Sequence, residues 1–283
     1  MMKHIPVLLP DVLSLLGDIH GRTIVDCTFG AGGYSRAFLK SGACVIAFDR
    51  DVNVIDDANK LKQEYGDKFM FINSAFSELS NLNPNEVDDI VFDLGISSMQ
   101  IDNAERGFSF RFDAPLDMRM DTRIKISATD LIKDSSVDEL ANILYEYGDI
   151  KKSRLLANVI KKALPTTTFQ LRDLIKNPRD IAPVFQALRI AVNDEMGQIE
   201  SALNSVHNLL RPGGRCVCVT FHSIEDRIVK NAFKQWTSVS GDPRLPEITK
   251  PEFKLLKTVT PSDKELANNP RARSAHLRAV EKL

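Results

Sequence analysis

The sequence predicts an open, mostly parallel α/β sheet interrupted by an inserted, mainly helical domain. Three observations carry this expectation. Short apolar runs alternate with segments of helical period as far as Leu94. A glycine-rich turn joins the first of these runs to the helix that follows it. After Leu94 the next strong strand pattern begins only at Arg215, and the intervening stretch is too long for one crossover and reads as helices.

Taken in order, Ile24 and Val25 read as the end of a buried strand, and Gly30, Gly32 and Gly33 open a loop before a helix over residues 34–40. Glycines suit such a loop because a missing Cβ permits positive φ and lets a ligand lie on the backbone, while the helix start offers free N–H groups. A second strand over residues 43–48 ends in Asp49, nineteen positions after Gly30. A carboxylate there can accept both hydroxyls of a ribose diol. In the dinucleotide fingerprint a third glycine would stand where this chain has Ser35. The loop therefore favours an adenosine-bearing cofactor without a pyrophosphate, such as S-adenosylmethionine, over a nicotinamide dinucleotide.

A helix over residues 52–65 leads to a third strand at residues 69–72, beyond which Phe76 stands where an aromatic ring could pack on adenine or simply fill the core. The fourth strand, residues 87–92, ends in Asp93-Leu94-Gly95, a candidate site at a strand's carboxyl end. Much later, apolar positions from Leu188 to Leu210 step by three or four and predict one long helix containing Gly197. A Pro212-Gly213-Gly214 turn and a strand over residues 215–221 complete that unit.

These patterns divide the chain into residues 1–103 with 186–283, which form the sheet domain, and residues 104–185, the insertion. Helices are expected there over residues 137–145, 154–163 and 168–175. At its entrance, phenylalanines alternate through 108–112, with Arg106, Arg111 and Arg119 nearby. Arg106, Phe108, Arg111 and Arg119 could clamp and stack an unpaired base; an edge strand with one apolar face is the competing reading.

Composition sets limits. The 283 residues carry a formal net charge of −1, so bulk charge does not draw the chain to nucleic acid. Residues 150–180 nevertheless hold eight Lys or Arg against two Asp, and Lys151, Lys152 and Arg154 begin that run. Residues 250–283 hold eight against four acids. Local basic regions on a near-neutral chain suggest a polyanionic partner, although solvated helix faces give the same pattern. No apolar run reaches the roughly 18 residues of a membrane span, and Pro10 and Asp11 interrupt the apolar start, so a cytoplasmic protein is expected. The four cysteines read as reduced core thiols, and the five histidines lack the spacing of a helical metal pair; no metal site is expected.

Several longer motifs go further. His4 to Leu9, Asp26 to Gly33, Phe48 to Asp51, Asp93 to Gln100, Glu105 to Asp121, Phe185 to Ile190, Phe221 to Lys230 and Asn269 to Ser274 together span nearly the whole chain. In these stretches the chain resembles the MraW/RsmH family of bacterial S-adenosylmethionine-dependent methyltransferases, which modify the exocyclic N4 of a cytidine in the decoding region of small-subunit ribosomal RNA. The resemblance implies a class I (Rossmann-like) methyltransferase fold, with 16S ribosomal RNA or the small ribosomal subunit as partner, for a monomer or homodimer. It also implies cofactor contacts at Gly32, Gly33, Tyr34, Asp49, Phe76, Asp93 and Gln100. Tyr34 departs from the family, which commonly has histidine there, so a contact made by backbone would survive and one made by an imidazole would not. Cys27 and Ala114 are smaller departures.

Chemistry nominates the catalytic candidates. Cytosine N4 is a weak nucleophile because its lone pair is delocalised into the ring, and an acceptor for its N–H hydrogens would help restore that pair. Asp93 is the first candidate for this role as well as for the cofactor, and His222 and Ser223, beyond the next strand, are the second. The rival readings are a methyltransferase with another acceptor, a nicotinamide-dependent oxidoreductase, and a non-catalytic assembly factor that binds RNA and retains the fold.

Overall fold

The computed structural model describes residues 6–239 and 250–283. His4 and Ile5 of the first motif lie outside the described residues. The chain divides into two compact units, Met1–Gly95 with Gly197–Leu283, and Ile96–Met196. The expected boundaries at 104 and 185 rest on where strand patterns are missing, and the compact units part several residues further out on each side.

The first unit begins with α1 (Leu9–Leu16) and alternates β1 (Thr23–Asp26), α2 (Gly33–Lys40), β2 (Cys44–Phe48), α3 (Ile55–Tyr65), β3 (Phe69–Ile72) and β4 (Val87–Asp93). The second unit carries α4 (Ser98–Asp102), α5 (Ala128–Asp134), α6 (Val137–Gly148), α7 (Ser153–Ala163), α8 (Thr168–Leu174) and α9 (Ile181–Asn193). Then α10 (Glu195–Leu209) leads back to β5 (Leu210–Thr220), α11 (Ser223–Trp236), β6 (Phe253–Leu255), α12 (Asp263–Asn268) and β7 (His276–Lys282).

The strands lie in the order β3-β2-β1-β4-β5-β7-β6. Pairings from β3 through β5 are parallel, and β7 is antiparallel to both β5 and β6. Chain order reverses beside β1, so the carboxyl ends of β1 and β4 flank the crevice where ligands of open α/β sheets bind. The apolar runs behave as buried strands should: Ile24, Val25, Ile90, Val91 and Val217 have no exposed surface. This is the expected class I methyltransferase sheet.

Two expectations need correction. The long helix over 188–210 is two helices, because Asp194 between α9 and α10 takes the left-handed conformation (φ 47°). Gly197, the weak point of the expected long helix because glycine is a poor helix former, lies inside α10. Hydrophobic spacing continues through the break because both helices bury a stripe, and spacing alone does not register a one-residue turn. The Pro212-Gly213-Gly214 segment falls within β5, where pairing with β4 shifts register between Val87 and Asp89.

The helical unit has its own core, with Leu140, Leu144, Ile160, Leu171, Val184 and Leu188 all fully buried. Four of its helices start on serine or threonine side chains that accept the backbone N–H three residues on: Ser97, Ser127, Ser136 and Thr167. Among the described residues no helix is long and apolar enough to cross a membrane.

Candidate cofactor and catalytic site

The glycine loop is shaped chiefly by its neighbours in the protein. Gly32 has φ 73°, and a Cβ there would lie 2.9 Å from the Phe29 ring. At Gly33 a Cβ would lie 2.4 Å from Cγ of Pro6, so this glycine keeps room for the N-terminal segment beside the loop. Tyr34 completes that clasp. Its side chain is 3% exposed, its ring packs on Phe38 and its hydroxyl donates to the carbonyl of Val7. Burial, then the nearby acids, pushes the phenol well above its ordinary range. The tyrosine side chain is therefore committed to the core, and only the backbone of residue 34 remains to meet a ligand.

Asp49 both holds the loop and presents a carboxylate. Its Oδ2 accepts the Gly30 N–H at 2.8 Å, and its Oδ1 accepts the Asp51 N–H at 2.8 Å. Each oxygen keeps lone-pair capacity for a further donor, which two ribose hydroxyls would supply. Burial pushes this carboxyl up to about 6 against the two backbone donors, which act in the opposite direction. Asn73 Nδ2 donates to the Asp49 carbonyl at 2.8 Å and fixes the strand end. Phe76, half-buried after β3, stands edge-on to Phe92 with centroids 5.8 Å apart.

The carboxyl ends of β1 and β4 carry an acidic pair. Asp26 is buried, accepting the Ser35 hydroxyl at 2.6 Å and the Thr28 N–H at 3.2 Å. Thr28 in turn accepts the Asp93 N–H at 2.7 Å, so one threonine ties both strand ends together. Asp93 Oδ1 is shielded from solvent and has no hydrogen-bond partner among the described residues. Burial, followed by the charges of Asp26 and Glu225, drives the Asp93 carboxyl well above the usual range. A buried acceptor left open calls for a donor from a ligand.

After β5, His222 caps α11. Its Nδ1 accepts the Glu225 N–H at 3.4 Å, while Glu225 Oε2 accepts the N–H groups of Phe221 and His222. With Nδ1 as an acceptor the neutral imidazole carries its proton on Nε2, which lies 2.9 Å from Glu225 Oε1. Nδ1 is thus engaged within the turn, while Nε2, shielded from solvent, makes no hydrogen bond among the described residues. Ser223 is exposed at the first helical position. Glu225, Asp26 and Thr28 escaped sequence reasoning. An acid closing β1 just before a glycine loop was a usable signal for Asp26, but a histidine-led capping box is not a pattern that flags Glu225.

The remaining candidates lie in the helical unit. Gln100 is 7% exposed and closes a capping box with Ser97 at the start of α4. Arg106 is 9% exposed, donates to the carbonyls of Arg119 and Met120 at 2.8 and 3.0 Å, and packs on Phe108. Phe108 belongs to the core. Arg119 pairs bidentately with Asp117 at 2.9 and 2.6 Å and donates to the carbonyl of Ile124. The expectation that Arg106 and Phe108 present a nucleic-acid surface is corrected, since both are buried, whereas Arg119 is half-buried in its ion pair; they frame an irregular loop, which is not an edge strand either, being joined to Thr167 by an isolated bridge at Pro115. Arg111, Lys151, Lys152 and Arg154 are exposed, the last paired with Asp138 at 2.8 Å. Cys27, Cys216 and Cys218 are buried free thiols, as expected.

An open sheet of this strand order, with a glycine loop after β1, an acid after β2 that holds that loop and an unsatisfied acid after β4, defines a class I methyltransferase fold with a place for an adenosine cofactor. The residues fit S-adenosylmethionine, since Asp49 can take the ribose and Asp93 Oδ1 awaits a donor. The chain belongs to the MraW methylase family, whose sequence profile matches residues 1–283. It is 43% identical over 303 residues to the ribosomal RNA small subunit methyltransferase H of Rickettsia massiliae (strain Mtu5), covering 99% of this chain and 98% of that one. It is 42% identical over 301 residues to the enzyme of the same name from Wolbachia sp. subsp. Drosophila simulans (strain wRi), covering 100% of both. Among solved structures, an rRNA methylase from Streptococcus thermophilus aligns at TM-score 0.44 and 14% identity, over 100% of this chain and 99% of that one. That distant likeness adds nothing to the strand order.

Proposed function

We propose that this chain transfers the methyl group of S-adenosylmethionine to the exocyclic N4 of a cytidine in the decoding region of 16S ribosomal RNA. The observation that carries the reading is full-length similarity at 43% identity to proteins named ribosomal RNA small subunit methyltransferase H. The geometry of Asp49 and Asp93 supports it. On this reading the protein works in the cytoplasm, and residues 104–185 help to hold the RNA, with Lys151, Lys152 and Arg154 among their exposed cations.

When bound, S-adenosylmethionine supplies an electrophilic methyl on a cationic sulfur. The chain's task is alignment, because in-line displacement needs the acceptor nitrogen near 3 Å from that carbon and on the S–C axis. Asp49 would orient the ribose, Phe76 would pack beside the adenine, and the backbone at Gly32 to Tyr34 would line the cofactor. Asp93 Oδ1 serves either the cofactor's ammonium group or an N4 hydrogen of the base. In the second role it draws density back to N4, and the proton released on methylation leaves along that hydrogen bond. With His222 Nδ1 already accepting the Glu225 N–H, a neutral imidazole has only a donor left in Nε2, so Asp93 is the stronger candidate of the two for accepting a substrate hydrogen.

Single-turnover transfer of labelled methyl to small-subunit RNA from cells lacking the protein tests this reading. The label is expected in N4-methylcytidine, and Asp93→Asn is expected to slow transfer about a hundredfold or more. Near-normal rates would remove Asp93 from the chemistry. RNA binding without any transfer by the unaltered protein would favour the assembly-factor reading.

A further inference from the structure

The aromatic run through residues 108–112 divides in space. Phe108 is in the core and Phe110 packs edge-on to Phe185 with centroids 5.4 Å apart, but Phe112 is 60% exposed. Its backbone is nevertheless clamped. The Thr168 hydroxyl donates to the Phe112 carbonyl at 2.7 Å and accepts the Ala114 N–H at 3.1 Å, and Thr168 itself has no exposed surface. The Thr168 N–H donates to the Ala114 carbonyl at 2.9 Å, and the Phe169 N–H donates to Asp113 Oδ1 at 3.1 Å. Residues 112–114 are thus tied to the first turn of α8, and an apolar ring is held out in water on a fixed stem.

Two arginines lie beside this stem, along with Asp113 of the stem itself. Arg111, next in the chain, is exposed. Phe169 carries the guanidinium of Arg172 over its ring, with Cζ 3.7 Å from the centroid, and Arg172 also pairs with Asp173 at 2.8 Å. The same unit holds the excess of eight Lys or Arg over two Asp between residues 150 and 180. A preset aromatic face beside cations is the combination that single-stranded nucleic acid uses, with bases stacking on the ring while phosphates meet the charges.

We propose that Phe112 is a stacking site for an unpaired RNA base, with Arg111 serving the adjoining phosphate. The proposal rests on the RNA substrate inferred above and deepens it, by assigning recognition to an exposed ring that the buried arginine and phenylalanine pattern had concealed. Stacking and charge separate cleanly in salt, since a stacked base releases no counterions whereas each phosphate contact does.

The test is fluorescence anisotropy on a labelled 20-nucleotide single-stranded RNA across a salt series, using the full chain. Phe112→Ala is expected to weaken binding by about five- to a hundredfold, the range for loss of one stacked base, with the slope of log affinity against log salt unchanged. Phe112→Trp is expected to restore affinity. Charge reversal at Lys151 and Lys152 is expected to flatten the slope instead. The proposal is overturned if Phe112→Ala binds within twofold of the unaltered chain, or if Phe112→Trp is as weak as Phe112→Ala. It is also overturned if the alanine variant loses affinity only for intact ribosomal subunits, which would mark a protein contact. Absence of RNA binding by the unaltered chain would overturn the RNA reading itself, and is distinguished by that arm alone.

Discussion

In the sheet unit, Asp49 and Asp93, picked out by their spacing from strands, come to rest at the carboxyl ends of β2 and β4 beside a glycine loop. In the helical unit, Arg106, Phe108 and Arg119, picked out by their residue types, are drawn into the frame of a loop. The difference is instructive. Position at a strand end is fixed by topology, so a motif tied to a strand inherits a place in space. An arginine beside phenylalanines has no such tie, because the same pair serves a buried carbonyl frame or an exposed base.

The largest effect expected from this contrast is on Arg106. Arg106→Ala would strand the carbonyls of Arg119 and Met120 and is expected to cost about 3 kcal/mol of stability in urea unfolding. A loss under about 0.5 kcal/mol, accompanied by weaker RNA binding, would return Arg106 to the surface role that its sequence context suggested.

Asp49 comes next. Removing its two prospective bonds to the ribose in Asp49→Ala is expected to weaken S-adenosylmethionine by about 2 kcal/mol, roughly thirtyfold, by calorimetry. The same carboxyl sets a pH dependence. It is pushed up to about 6 in the free protein and must be ionised to accept from two hydroxyls, so protons compete with the ligand. Affinity should be level above about pH 7 and fall toward tenfold per unit below about 6. An affinity that rises on acidification would show that Asp49 meets the ligand protonated, or does not meet it.

The smallest effect separates side chain from backbone at residue 34. Tyr34→Phe removes only the hydroxyl that holds the Val7 carbonyl and is expected to cost about 1 kcal/mol in stability, with faster amide exchange around Val7 and Leu8. Unchanged exchange there would mean that the Pro6–Gly33 packing holds the segment unaided.

Much of the parent sheet was readable because each strand is a short apolar run with punctuation. Val87 to Asp93 announces both a buried strand and its acidic end. The antiparallel β7 was not foreseen, since His276 to Lys282 alternates charged and apolar residues like many surface segments. Asp194 hid the division of α9 from α10 because a single left-handed residue leaves no periodic trace. At the site, glycines and acids were visible as types. Their actual partners, Phe29 and Pro6 for the glycines and Thr28 for Asp93, depend on contacts between segments distant in sequence. Burial of Arg106 and exposure of Phe112 were hidden for the same reason: both sit in one motif, and only tertiary packing distinguishes them.

The most direct measurement is mass spectrometry of 16S ribosomal RNA from cells with and without this protein. Loss of one methyl from the N4 of one decoding-region cytidine, restored by the unaltered chain and not by Asp93→Asn, is the expected result. Identical methylation of that RNA in both cell lines would contradict the proposed reaction.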